Sequence, residues 1–430
     1  MYNLIYFIIV SFSYGLCIYI RMRNNSFQLY RLCNIVLLFG LVFFSITAPK
    51  SYYGTLFLDT KFYHGFDLEI YSIYILFSIL LPLSVLFGDK LAKNCRIKVV
   101  ERQGGITFNL VILLFVVIYT IILIRKVGVG NLPNVAILTG NWQDVISLKF
   151  KLASGEYGLI VSKFDTFLLP FVLYLFLYVV IAKQKLLHGC RHIIFMVVLS
   201  IFLFYATVRV SRAGIVYYIL SGYLFSKMLS RKNVLGVGII FILAILVFTF
   251  QMFGHGDKTI LESVDSVLDR MVYQHAFIYV QNQISNTGIY STIDLINIPG
   301  LAQIFGQEYV NMSKEAYLAF YNNDYSGGTA GLGFAQLYFA FGYSSAIIWM
   351  LFMIVFFFVE SILFNGIEAS RAEGNNYKSL SAFYYTLTAL FCVAILSNVY
   401  SFFSFSTLFS VTVWYLLIVF SFKFKVVQGK

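Results

Sequence analysis

Charge is what this chain has least of. Asp, Glu, Lys and Arg make up 12% of its 430 residues, against roughly 25% in a soluble domain. Hydrophobic residues make up 60%, and the mean hydropathy is +0.82. A soluble globular fold is thereby excluded. Cysteine is also scarce. Cys17, Cys33, Cys95, Cys190 and Cys392 all fall in apolar runs or on the side read below as cytoplasmic. No outer-face disulfide is expected, and no zinc spacing is present. The chain has no glycine-rich phosphate loop of the nucleotide-binding kind. It also has no internal repeat and no matched pair of broken helices, which counts against a transporter. The first apolar run, "LIYFIIVSFSYGLCIYI", has no basic residue before it, "RMR" directly after it and no small-x-small cleavage site. It reads as a retained anchor rather than a signal peptide.

What the chain does have is apolar runs long enough to cross a hydrocarbon core of about 30 Å. They lie near 3–20, 32–48, 69–88, 106–124, 164–182, 193–209, 212–229, 234–253, 332–359, 380–398 and 403–422. The expected fold is an all-α polytopic bundle of about eleven spans, one integral-membrane domain over residues 1–430. Alternate connections are basic: Arg21, Arg23, Arg31; Lys90, Lys93, Arg96, Lys98, Arg102; Lys183, Lys185, Arg191; Lys227, Arg231, Lys232; Arg371, Lys378; and Lys423, Lys425, Lys430. By the positive-inside rule these face the cytoplasm, with the N-terminus outside and the C-terminus inside. The net charge of +12 is then topology-setting charge spread between spans, and no nucleic-acid partner is expected. Three outer segments remain: 125–163, the turn at 209–212, and 254–331, the longest hydrophilic segment.

Arg209 and Arg212 are the only charged side chains among Asp, Glu, Lys and Arg in residues 192–226. Two spans of about 20 residues each use up nearly all of the chain between Arg191 and Arg231. The pair therefore belongs at or just below the outer interface, and a spacing of three puts both on one face if helix continues through them. Two readings stay open. In one, the pair snorkels to outer-leaflet headgroups and ends the helices. In the other it binds an anionic group, for which planar, always charged guanidinium suits phosphate. Carboxylates inside the apolar runs are too scarce to be obvious partners, so a lipid-linked phosphate or diphosphate is the natural candidate.

Within 254–331, Ile260, Leu261, Val264, Val267, Leu268, Met271, Val272 and Ile278 follow helical spacing. That predicts an amphipathic helix lying along the outer surface. His275 falls on its apolar face, either as a packed core histidine or as a general base titrating near neutrality. His255, in "GHG", is either a second candidate base or part of a flexible exit from a span. Arg270, the only arginine in the loop, is either a third phosphate ligand or a partner for Asp265 or Asp269. It shares the polar side with Tyr273. The loop ends in "YNNDYSGGTAGLGFAQLYFAFGY", turn chemistry with Tyr321, Tyr325, Thr329 and Tyr338 offering rings and hydroxyls to a sugar.

Together the "VRVSRAG" turn at 208–214, the large outer loop and the stretch "GGTAGLGFAQLYFAFG" at 327–342 resemble the O-antigen polymerase (Wzy) family of bacterial integral-membrane glycosyltransferases. The last stretch carries Gln336 where many members have an acidic residue, so no carboxylate role is carried over. The resemblance implies transfer of the glycan on one undecaprenyl diphosphate to a hydroxyl of a second lipid-linked unit, at the outer face of the inner membrane. It implies no metal and no cofactor. Arg209, Arg212 and Arg270 would hold the diphosphate, His275 or His255 would take the proton, and Tyr273, Tyr321, Tyr325 and Thr329 would contact glycan. The implied partners are the lipid-linked oligosaccharides, membrane lipids and a chain-length regulator protein. An O-antigen ligase of similar architecture, a lipid-linked oligosaccharide flippase and a non-enzymatic scaffold are the competing readings.

Overall fold

A computed structural model of the chain describes residues 2–38, 40–41, 68–101, 105–141, 168–182, 191–208, 344–374, 377–397 and 422–428, with isolated positions within 144–161, 221–228 and 412–416. The described elements in chain order are α1 (Tyr2–Arg23), α2 (Leu68–Asn94), β1 (Cys95–Glu101), α3 (Gly105–Val127), α4 (Pro133–Leu138), α5 (Leu169–Ala182), α6 (Arg191–Val208), α7 (Ser345–Ala372), α8 (Lys378–Ser397) and β2 (Phe422–Gln428). Residues 32–38 and 40–41 are also helical. The structure is thus a helical bundle, as the apolar runs predict, with one two-stranded ribbon that hydropathy did not anticipate.

Among the described residues, three segments are long and apolar enough to cross a membrane: Ile75–Asn94, Leu110–Val127 and Ser345–Ala372. Their surfaces make the same point. On α3, Ile112, Val116, Tyr119, Leu123 and Val127 are buried, while Leu110, Leu114, Ile118 and Ile121 form a parallel exposed stripe. α1 repeats this with Ile8, Phe12, Leu16 and Tyr19 turned outward. In water such apolar faces would be an association liability. Against lipid tails they carry no cost, because the helix has already satisfied its own backbone. This is a membrane protein.

Side-chain bridges fix the helix directions. Ser13 on α1 donates to the carbonyl of Ser78 on α2. Further along, Arg21 meets Asp89 at 3.3 Å, and Lys93 Nζ reaches Asn24 Oδ1 at 3.2 Å. Both numbers rise together, so α1 and α2 run parallel. α7 runs the same way: Phe77 lies edge-on to Trp349 with ring centroids 6.0 Å apart, and Ser361 donates to Asp89 Oδ1 at 2.6 Å. α2 and α7 approach closely at Gly88, where an added Cβ would stand 2.6 Å from Phe357 Cβ and 3.0 Å from the Ile354 carbonyl oxygen.

One end of the bundle therefore collects the C-terminal ends of α1, α2 and α7. β1 follows α2 without a gap and pairs antiparallel with β2, from Cys95↔Gln428 to Glu101↔Phe422. The ribbon joins the basic segment around residues 90–102 to the basic tail. The two belong to one end, as the alternation of basic loops predicts. α3 starts from that end and carries the chain about 34 Å away at 1.5 Å per residue over its 23 residues.

One apolar run differs from expectation. The run at 332–359 was expected to stop before Glu360, yet α7 continues to Ala372. The reason is local neutralisation: Glu360 is buried against two arginines, so its charge does not end the buried helix. The run at 164–182 is helical from Leu169. The runs at 42–48 and 234–253 and the loop at 254–331 lie outside the described residues.

Candidate functional site

At the ribbon end, the connection from α1 to the next helix folds back under the bundle. Ser26 and Phe27 donate their backbone N–H groups to the Arg21 carbonyl at 2.8 and 3.1 Å. Asn34 Nδ2 donates to the carbonyls of Gln28 and Ser26 at 3.0 and 3.3 Å. This turn brings Arg31 back beside Arg21, and both side chains are fully buried.

Their counter-ions come from far along the sequence. Glu360 on α7 accepts from Arg21 at 2.9 Å. It also accepts two bonds from Arg31, one from Nε at 3.0 Å to Oε1 and one from Nη2 to Oε2. Tyr384 on α8 donates its hydroxyl to Glu360 Oε1 at 2.5 Å. Asp89 on α2 takes Arg21, the Ser361 hydroxyl and the Ser26 hydroxyl, the last at 3.1 Å. Arg21 also donates to Asn34 Oδ1 at 2.7 Å, and Arg31 donates to Ser361 Oγ and the Ser26 carbonyl, each at 2.9 Å. Phenyl rings complete the walls: Phe357 lies 5.0 Å from the Arg21 guanidinium carbon, and Phe364 4.5 Å from that of Arg31.

The arithmetic closes at two cations and two anions. Arg31 lies in the connection before the second apolar run. Burial works against its charge, but Glu360 beside it more than compensates, and its proton is held more tightly than in water. A buried, neutral cluster of this kind, in which Arg21 Nε is left without a hydrogen-bond partner, presents no reacting atom to a substrate; its chemistry is attachment. It joins α1, the following connection, α2, α7 and α8. The sequence reading assigned Arg21 and Arg31 to topology-setting surface charge; the structure buries both and pairs them. It also missed Glu360 and Asp89. The available signal was "FFFVESILF", a lone acid in an otherwise apolar run, which in a membrane protein marks a paired group.

Tyr384→Phe removes one charge-assisted bond to Glu360 while leaving the charges balanced. We expect a loss of about 1.5–3 kcal/mol, read as a lowered unfolding temperature of the purified protein, with normal accumulation in membranes.

At the other end of the bundle, α3 runs into a 3₁₀ turn at Val129–Asn131 and the short α4, opened by Pro133. Thr120 Oγ1, near the end of α3, lies 3.1 Å from the Tyr205 hydroxyl, near the end of α6. The later halves of the two helices therefore lie side by side, and α4 lies against α6. α5 returns beside α6, with Phe176 and Phe202 stacked at 4.5 Å. α6 takes 18 residues from Arg191 and ends at Val208.

Every site residue singled out in the sequence — Arg209, Arg212, His255, Arg270, Tyr273, His275, Tyr321, Tyr325 and Thr329 — lies outside the described residues. Among the described residues, no group of three or more His, Cys, Asp or Glu side chains has a metal-holding arrangement. No protein-family description, curated protein or solved structure matches the chain.

Proposed function

We propose that this protein is a repeat-unit polymerase that transfers the glycan of one undecaprenyl-diphosphate-linked oligosaccharide onto another. The ribbon end faces the cytoplasm and the α4 end faces the periplasm of a bacterial inner membrane. The observation that supports the reading is the course of α6. Its described residues run from Arg191, in the basic segment, beside α5 to Val208, with α4 packed against it and Tyr205 near Thr120 of α3. Arg209 is the next residue in the chain, and Arg212 follows three later. The buried cluster sharpens the assignment, since Arg21 and Arg31 are already neutralised by Glu360 and Asp89. They have no charge left for a substrate.

In the reaction, an acceptor sugar hydroxyl attacks the anomeric carbon of the donor glycan. The new carbon–oxygen bond forms as the bond to diphosphate breaks, and the bonding pair leaves on undecaprenyl diphosphate. Arg209 and Arg212, with Arg270, stabilise the charge that develops there. His275 or His255 takes the acceptor proton. Tyr273, Tyr321, Tyr325 and Thr329 hold the glycan.

A strain lacking the gene separates this reading from its neighbours on a lipopolysaccharide gel. We expect lipid A core bearing a single repeat unit. Bare core would point to a ligase. A flippase would also leave bare core, and is told from a ligase by lipid-linked repeat units retained on the cytoplasmic face. An unchanged ladder would exclude the polymerase.

A further inference from the structure

The apolar contacts between α2 and α7 hold the two helices together, but they do not decide how far α7 is pushed along its axis. Near the contact α7 reads "WMLFMIVFFFVESILFNG". Three and four residues on either side of Glu360 stand Phe356, Phe357, Leu363 and Phe364, all buried. A slide of one turn, about 5.4 Å, exchanges Trp349 for Met353 and Phe357 for Ser361 or Met353. At Gly88 the approach is to the Cβ of Phe357 and to α7 backbone atoms, which Met and Ser also supply. The charges are different. A slide in one direction brings Phe364 to the place of Glu360, and in the other it brings Phe356. Either leaves both guanidiniums facing a phenyl ring with Asp89 as their one carboxylate.

We infer that the cluster of Arg21, Arg31, Asp89 and Glu360 is an axial register lock, which selects one position of α7 among several of similar apolar contact. A single buried polar residue plays the same part in coiled coils, fixing register at a cost in stability. The cluster suits the task because its anions sit on two different helices, while its cations sit on α1 and the following connection. No two of α1, α2 and α7 can shift against each other without separating a cation from a carboxylate. Breaking a buried pair costs far more than the pair contributes, so the penalty falls on the slipped states. The lock lies about 22 Å along α7 from Ser345. It therefore also sets the height of the α7 start, into which residues 327–344 lead. The consequence for glycan handling by that segment rests on the polymerase reading. The lock itself does not.

Disulfide cross-linking in membranes tests it, using the full chain with its five cysteines replaced by alanine. Phe77→Cys with Trp349→Cys reports the native register, and Phe77→Cys with Met353→Cys reports a slide of one turn. With the cluster intact, the native pair should dominate. Moving the acid by one turn, Glu360→Phe with Phe364→Glu, should make the slipped pair dominant. A second background removes the four charges of the cluster: Arg21→Met, Arg31→Met, Asp89→Asn and Glu360→Leu. No ion is then left unpaired, and the two cross-links should form at comparable yield, a fall of more than about tenfold in their ratio. A native-only pattern in the uncharged background, or a native register retained after the acid is moved, overturns the lock. A normal glycan ladder beside altered cross-links would instead count against the polymerase reading of the 327–344 segment and leave the lock standing.

Discussion

Glu360→Leu is expected to cost the folded bundle about 3–5 kcal/mol, the usual consequence of removing one partner from a buried ion pair. Arg31 loses its two-bond partner, and Arg21 keeps only Asp89 and Asn34. Two guanidiniums then share one carboxylate in a site without water access. Total stabilities of folded domains run to about 5–15 kcal/mol, so this is a large fraction. The variant should accumulate poorly in membranes and unfold at a much lower temperature in detergent. Adding Arg31→Met leaves the Arg21–Asp89 pair in place and should recover most of the loss, since an apolar side chain of similar length needs no counter-ion. A single Glu360→Leu variant as stable as the native chain would mean that the two arginines find other anions, and the closed-cluster description would fail.

The second large effect concerns the polymerase reading. Arg209→Ala and Arg212→Ala are each expected to lower transfer by about 10²–10³-fold, the effect of removing one preorganised donor from a developing anion. Arg212→Lys keeps the charge but loses the planar fork that engages two oxygens. Its activity should fall between the native and alanine forms. In a complemented deletion strain this reads as a ladder collapsed to one or few repeat units for the alanine variants and a shortened ladder for the lysine variant. Protein amount in the membrane should be unchanged, because the charges of Glu360 and Asp89 are already matched by Arg21 and Arg31. Full ladders from Arg209→Ala and Arg212→Lys together would remove the diphosphate clamp and return the pair to a headgroup-facing role.

Particular residues show how far sequence alone reached. The limits of α1, α3 and α8 follow from apolar runs at 3–20, 106–124 and 380–398, because a lipid-facing helix is apolar on every side and its length is set by the hydrocarbon core. The gathering of basic segments at one end was legible for the same reason: loop charge is read by the membrane, not by the fold. α7 was misjudged because hydropathy scores each residue alone. Glu360 reads as the end of a run until Arg21 and Arg31 arrive from more than 300 residues away. The ribbon was missed although its signal is present. "RIKVV" at 96–100 and "FKFKVV" at 422–427 both alternate, the period of a strand rather than a helix. In a chain scanned for long apolar runs, two seven-residue strands separated by 320 residues leave no mark. For the candidate site, the sequence supplied the Arg209–Arg212 pair, and the described helices supply the end of the bundle at which α6 delivers the chain.

The most direct test is reconstitution of the purified protein with a single substrate, an undecaprenyl-diphosphate-linked repeat unit, and no nucleotide sugar. Predicted is a series of lipid-linked oligomers, with one undecaprenyl diphosphate released for every linkage made. Intact monomeric substrate with no diphosphate released, under conditions in which the protein is folded, would contradict the polymerase assignment.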